Sequence, residues 1–301
     1  MILIRYGEVG LKGKNVRRKF ENILIRNIKR AFLNEKIEAL IETDWGRIYL
    51  YTDENKKCIE ILKRIFGIVS FSEVIESSSH LSDICNNAVE LSKKIIGNKQ
   101  KFAVRSRRCG VHQYTSQDIS KAVGSAILNA DEGLGLKVDL KNPDVEIFVE
   151  VRNKKAYIFS KIIPGIGGLP LGSQGTVISI LDDRNSIIAS WLLMKRGCNV
   201  ISVFFGDDEK KIEKWVELLK KWDPKLKFFF EKCTSLDEQI ELLDEMVRKS
   251  NASGIVVGRG LDKDIEKLRK RIPIFYPLIG LEKNEIDEIW KKIGGDNEED
   301  C

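Results

Sequence analysis

The 301-residue sequence predicts an α/β protein: two small α+β segments followed by a parallel sheet wound by helices on both faces. Three observations predict it. The first 76 residues alternate in the order β-α-β-β-α-β, which reads as a small ferredoxin-like sandwich. Residues 77–163 repeat a mixed strand–helix rhythm around a hairpin. After residue 176 continuous apolar runs alternate with helical patterns, as strands buried on both faces do.

In chain order, residues 1–5 form a strand. Phe20, Ile23, Leu24, Asn27, Ile28 and Ala31 recur near helical spacing and predict a helix over 15–32. Residues 37–43 and 47–52 alternate as strands around a turn at Asp44-Trp45-Gly46. A helix over 55–65 and a strand over 68–75 complete the first domain, 1–76. The second domain, 77–163, holds helices over 81–95 and 116–130, the latter capped at Thr115 or Ser116. Its strands are 101–106, 145–151 and 156–162. Residues 164–175, PGIGGLPLGSQG, carry too much Gly and Pro for regular structure and read as a linker. The third domain, 176–301, follows: an apolar run at 177–181, a helix over 185–196, a strand at 199–205 and a helix over 208–221. Then come a strand at 227–230, a helix over 236–248, a strand at 254–257 and helices over 262–270 and 283–292. A ligand of such a sheet sits at the carboxyl ends of its strands.

Composition bounds the function. No apolar run reaches the roughly 20 residues of a membrane helix, and the amino terminus lacks the pattern of a secretory signal. Six cysteines without paired spacing predict reduced thiols and a cytoplasmic protein. With His80 and His112 as the two histidines, no metal site is expected and His-based catalysis is disfavoured. The net charge of +6 is uneven. Residues 1–175 carry 29 basic and 20 acidic residues, whereas 176–301 carry 22 and 25. Such a front end suits a polyanion. Lys12, Lys14, Arg17, Arg18 and Lys19 cluster at a loop and helix start, where cations oppose the helix dipole. Arg105, Arg107 and Arg108 stand at a strand end, and guanidinium forks grip phosphate oxygens bidentately.

Three stretches carry a resemblance. They are RYGEVGLKGKN near the amino terminus, then FAVRSRRCGVHQYTSQDISKAVGSAIL with VDLKNPDVEIFVEV and GIGGLPLGSQG, then WLLMKRG with YPLIGLEKNEIDEIWKKIG. Together the sequence resembles the tRNA 4-thiouridine synthetases, also called tRNA sulfurtransferases or thiamine-biosynthesis sulfurtransferases. The resemblance implies a ferredoxin-like domain, a THUMP domain and a PP-loop domain of the adenine nucleotide alpha hydrolase type. It implies tRNA as partner, bound at its acceptor end through the eight basic residues above, and a third domain that adenylates a uridine with ATP.

The third domain departs from that family at its phosphate loop. Counting back from residue 197, the motif Ser-Gly-Gly-x-Asp-Ser becomes Leu181, Asp182, Asp183, Arg184, Asn185 and Ser186. Glycine there lets backbone N–H groups close around phosphate. A carboxylate about 4 Å from a phosphate charge costs roughly 4 kcal/mol at an effective dielectric of 20. Asp182, Asp183 and Asn185 instead suit the start of a helix, where anionic and capping side chains are stabilising. The positions equivalent to the family's nucleotide contacts are Val177, Ile178, Ser186, Phe204, Phe205 and Gly258, expected to be vestigial. Phe204-Phe205 replaces a family His-Phe and reads more simply as core. Cys58, Cys85, Cys198 and Cys233 read as structural. Cys109, beside Arg107 and Arg108, is expected to have a lowered thiol pKa. Cys301, among acidic neighbours, is a poor sulfur carrier, and no catalytic residue is assigned. The expectation is therefore a THUMP-type tRNA-binding protein without adenylation and without a cofactor. It would act alone or with a separate modifying enzyme or sulfur donor; a homodimer stays open. The alternative is a working sulfurtransferase that uses ATP and Mg²⁺, makes 4-thiouridine and supplies thiazole sulfur for thiamine. A structural role, with the α/β domain as a dimerisation platform, is the third reading.

Overall fold

A computed structural model of the chain describes residues 1–7, 13–44, 46–130, 132–206, 209–233, 235–259 and 272–295. The expected turn residue Trp45, the helix over 262–270, Asp208, Lys12 and Cys301 lie outside the described residues.

The first segment runs β1 (Ile2–Tyr6), α1 (Lys14–Asn34), β2 (Leu40–Asp44), β3 (Arg47–Tyr51), α2 (Asn55–Leu62) and β4 (Ile68–Glu73). The second runs β5 (Ile75–Ser78), α3 (Leu81–Ile95), β6 (Lys101–Cys109), α4 (Ser116–Ala130), β7 (Lys137–Val138), β8 (Val145–Arg152), β9 (Lys155–Phe159) and β10 (Ile163–Pro164). The third runs β11 (Thr176–Ile180), α5 (Arg184–Lys195), β12 (Asn199–Phe205), α6 (Glu209–Lys220), β13 (Lys227–Glu231), α7 (Leu236–Ser250), β14 (Ile255–Val256), β15 (Ile274–Phe275) and α8 (Lys283–Ile293). Two compact units result: residues 1–5, 39–55 and 70–164, and residues 6–38, 56–69 and 165–301.

The first unit contains two sheets. One has the order β10-β4-β1-β3-β2, the other β5-β9-β8-β6-β7. The expected strand over 68–75 is in fact two strands, because β5 leaves the first sheet and pairs antiparallel with β9. The strand expected at 101–106 continues to Cys109, in parallel register with β8 along its length. Arg107 and Arg108 therefore lie within the strand rather than beyond its end. Helices α3 and α4 bury Ile84, Ala88, Ile119, Val123 and Ile127 with Phe102, Val104 and Ile147 of the sheet. Thr115 starts α4: its hydroxyl accepts from the Asp118 N–H (3.2 Å), while the Asp118 carboxylate accepts from the Thr115 N–H (2.8 Å). This reciprocal cap satisfies donors that a helix start leaves open. Leu3, Tyr49, Val74, Tyr157 and Phe159 form a second buried cluster, with the Tyr49 and Tyr157 rings stacked at 5.0 Å.

The second unit contains a parallel sheet of order β13-β12-β11-β14-β15. Its core gathers Phe66, Trp191, Trp222, Met194 and Trp290. The Phe66 ring packs edge-on to Trp191 (5.6 Å) and stacks on Trp222 (5.3 Å). The segment expected as a linker is irregular, as its Gly and Pro content predicts, yet from residue 165 onward it is tied along its length. The Gly165 N–H donates to Val69 O, Gly67 N–H to Gly167 O, Leu169 N–H to Lys195 O and Gln174 N–H to Gly197 O. Gly168 has φ +77°, and a Cβ there would stand 2.2 Å from the Lys195 carbonyl oxygen. The strap thus needs glycine both for its backbone angle and for its close approach. Among the described residues no helix is long and apolar enough to cross a membrane, and no cluster of potential metal ligands occurs.

Candidate nucleic-acid interface and nucleotide crevice

In β6 the residues alternate between the two faces of the sheet. Phe102 and Val104 face the helices, so Arg105 and Arg107 share the opposite face and Arg108 does not. β7 pairs with Lys101 and Phe102 alone; the remainder of β6 is the sheet edge among the described residues. The arginines differ in their commitments. Arg105 donates from Nε to Glu146 (2.8 Å) and from a terminal nitrogen to Leu140 O (2.8 Å). Arg108 donates to Gly110 O (2.9 Å). Arg107 is exposed. It borders a cleft of about 630 Å³ together with Arg5, Arg105, Glu150, Phe148 and Phe159. The two phenylalanine rings stack at 5.2 Å, and the Arg5 guanidinium lies 4.8 Å from the Phe159 ring centroid. Neither phenylalanine nor Arg5 was singled out from sequence. They sit 43 or more positions from Arg105, and the pairing that joins them is tertiary.

The loop that holds Arg105 is itself anchored. Asp139 accepts from Lys141 N–H, Asn142 N–H and Lys101 Nζ, each at 3.0 Å. These bonds, led by the one from Asn142, lower its carboxyl pKa to about 2. A depressed folded-state value contributes stability above the unfolded value and loses it as pH falls through the folded one. Carboxyl-carbon NMR should find Asp139 titrating near 2, with the 139–142 loop loosening over the interval from about 4 down to 2; titration near the ordinary aspartate value would show the bonds absent.

On α1, Phe20, Ile23, Leu24 and Ile28 are buried, which leaves a basic outer face. Arg18 and Lys19 line a groove of about 570 Å³ with Asn15, Asn22, Arg26 and Gly172. Arg17 is half-buried, and the Lys14 side chain is outside the described residues. The helix starts at Gly13 with no side-chain cap and no acidic residue in its first turn. Its N-terminal partial charge therefore adds to the basic side chains instead of being offset. Asn22 and Arg26 were missed from sequence. Their i+4 and i+8 spacing from Arg18 was the available signal.

The third feature lies at the carboxyl ends of β11 and β14. β11 has β12 on one side and β14 on the other. Such a reversal of strand order opens the crevice in which α/β sheets bind ligands. The loop over 181–183 and the exit of β14 flank it. Asp183 is the N-cap of α5: its Oδ1 accepts from the Ser186 N–H at 2.7 Å. The Ser186 hydroxyl accepts from the Asp182 N–H (3.1 Å) and Asp183 N–H (3.2 Å) and donates to Asp183 O (2.5 Å). The Asp182 carboxylate pairs with Arg259 at 2.6 Å. Burial raises the Asp182 pKa, Arg259 pulls it back, and Asp183 raises it further. Arg184 pairs with Asp287 at 2.6 Å and lies 5.2 Å from the Trp290 ring centroid. Gly258 passes so close to α5 that a Cβ on it would be 2.1 Å from Ser186 N.

The other family-equivalent positions are core. Val177 and Ile178 are buried in β11 on opposite faces. Phe204 packs on the tryptophan cluster and lies 5.6 Å from the Phe230 ring, while Phe205 packs on the other face. Cys58 and Cys198 are buried, Cys85 and Cys233 half-buried and Cys109 exposed. Burial lifts the thiol pKa of Cys85, Cys198 and Cys233.

Comparison with known proteins follows the same division. Residues 1–72 match the ThiI ferredoxin-like domain, 78–161 the THUMP domain and 172–269 the thiamine biosynthesis protein (ThiI) family. A probable tRNA sulfurtransferase of Methanothermobacter thermautotrophicus is 34% identical over 336 aligned positions, covering 98% of this chain and 84% of the relative. A probable tRNA sulfurtransferase of Saccharolobus solfataricus is 36% identical, covering 98% and 86%. The crystal structure of PH1313 from Pyrococcus horikoshii superposes with a TM-score of 0.82 at 34% identity, covering 97% of this chain and 99% of that one. A 4-thiouridine synthetase–RNA complex with bound ATP superposes with a TM-score of 0.80 at 26% identity, covering 97% and 84%.

Proposed function

Because the chain belongs to the tRNA sulfurtransferase family, we propose that it binds tRNA through its basic front half and does not itself adenylate it. It presents tRNA to a separate modifying enzyme or sulfur donor, in the cytoplasm and without a cofactor of its own. The observation that carries this reading is the Asp183 carboxylate on the Ser186 N–H. A phosphate at a helix N-terminus needs those amides free and the dipole uncompensated. Here a side-chain anion occupies the amide, a second carboxylate stands next to it, and Arg259 is engaged with Asp182. The residues present therefore do not fit the β- and γ-phosphates of ATP with Mg²⁺.

Arg107, Arg108, Arg18, Lys19 and Arg26 supply the RNA contacts in this reading, as phosphate grips that carry no base specificity. Arg105 is assigned a lesser part, since Glu146 and Leu140 hold it. A second reading, a working sulfurtransferase with an altered loop, is favoured by the names of the relatives and by the ATP in the related RNA complex.

The experiment combines two titrations. Calorimetry with Mg-ATP, with and without tRNA, should show no binding; a micromolar constant decides for the second reading. Gel shifts should show tRNA bound, with Arg107→Ala plus Arg108→Ala weakening it and reducing the slope of log K against log salt by about 1.5–2. Unchanged affinity and slope would move the RNA site elsewhere.

A further inference from the structure

A cavity of about 280 Å³ lies wholly within the second unit, among α1, residues 61–66 and the turn that follows α6. Its walls include the apolar side chains of Ile61, Ile65 and Trp222. Seven charged residues line it: Glu35, Glu217, Lys220 and Lys221 are exposed, and three others are withdrawn from solvent. Asp223 is 6% exposed. Its Oδ1 accepts from the Lys225 N–H at 3.0 Å; its Oδ2 has no hydrogen-bond partner among the described residues. Arg30 and Arg64 are half-buried at the same cavity, and neither guanidinium has an ion pair within 4 Å or a side-chain hydrogen bond among the described residues. Burial raises the Asp223 carboxyl pKa, and the Lys225 N–H, Arg30 and Lys225 lower it in that order.

Two guanidiniums whose N–H groups have no side-chain hydrogen bond, beside an apolar wall, are complementary to a carboxylate, which they can hold with charge-assisted bonds. A buried carboxylate with one open oxygen is complementary to an ammonium. A plain polyanion would be repelled by Asp223, and a plain cation by the arginines. We propose that this cavity binds a free α-amino acid with a branched or aromatic side chain. Its carboxylate lies on Arg30 and Arg64, its ammonium on Asp223 Oδ2, and its side chain against Ile61, Ile65 and Trp222. A few convergent polar groups on an apolar wall are the usual build of a small-molecule site. The assignment is independent of the tRNA reading, since none of these residues belongs to the RNA surfaces or the crevice.

The test is calorimetry, with Trp222 fluorescence as a second readout, on the full chain with L-leucine and L-phenylalanine. 3-Phenylpropanoate, which lacks the amine, and phenethylamine, which lacks the carboxylate, are the controls. Saturable binding of an amino acid is expected, weakened at least about tenfold in each control and in Arg64→Gln. In Asp223→Asn, phenylalanine should bind no better than 3-phenylpropanoate. If Asp223→Asn does not fold, the ligand series and Arg64→Gln still decide. No saturation by about 10 mM, or 3-phenylpropanoate binding as well as phenylalanine, would overturn the assignment.

Discussion

Replacing Glu150 by alanine should cost the first unit about 3–5 kcal/mol, because it strips the counter-charge from buried arginines. The Glu150 side chain is 7% exposed and stands between three guanidiniums. They are Arg47 at 2.9 Å, Arg152 at 3.0 Å and Arg5 at 3.7 Å, with side-chain exposures of 21%, 11% and 15%. Burial lowers the Arg5 pKa, Glu150 raises it, and Arg47 and Arg107 lower it again. One carboxylate thus stands against three cations. Arg5 also donates to the Ser72 hydroxyl at 3.0 Å, a neutral acceptor that cannot replace the charge of Glu150. Hydrogen exchange of the β8 and β9 amides is the fitting measurement, since it reads this unit separately from the other. A loss below about 1 kcal/mol would show that the arginines find solvent when Glu150 is gone. Glu150→Gln should fall in between, because the amide keeps an acceptor but not the charge.

The second large effect belongs to Gly258. Alanine there places a Cβ 2.1 Å from Ser186 N, 2.4 Å from the Asn185 carbonyl carbon and 2.5 Å from Ser186 Cα. All three atoms are backbone, in the first turn of a buried helix, so no rotamer change relieves the overlap. The exit of β14 must separate from α5, which strains the N-cap and the Asp182–Arg259 pair next to it. A cost of about 3 kcal/mol is expected, at the upper end of overpacking. Tryptophan fluorescence can follow it, since Trp191, Trp215, Trp222 and Trp290 are all in this unit. Gly124 in α4 is the contrast. Beyond its chain neighbours and the backbone of its own helix, no atom lies within 4 Å of its hypothetical Cβ. Gly124→Ala in that helix interior should therefore stabilise by about 0.5–1 kcal/mol. A Gly258→Ala protein as stable as the parent would mean that α5 and β14 are not held at this separation.

Apart from the short strands β7, β10 and β15, the sequence alone determined the order of strands and helices, the parallel character of the last sheet, and a helix start among Asp182, Asp183 and Asn185. These follow from periodicity and from capping over three or four residues, which act within one element. Tertiary structure decided the rest. It joined Glu150 to Arg5 and Arg47, split the strand over 68–75 between two sheets, and tied down the segment expected as a linker. It also showed that Arg105 is engaged by Glu146 while Arg107 lines a cleft. Each of those outcomes depends on groups more than 20 residues apart or on which sheet a strand joins, and a chain's local pattern carries no record of such pairings. The glycine at 258 has the same cause: its necessity lies in a helix 72 positions earlier, which only the folded chain brings within van der Waals range.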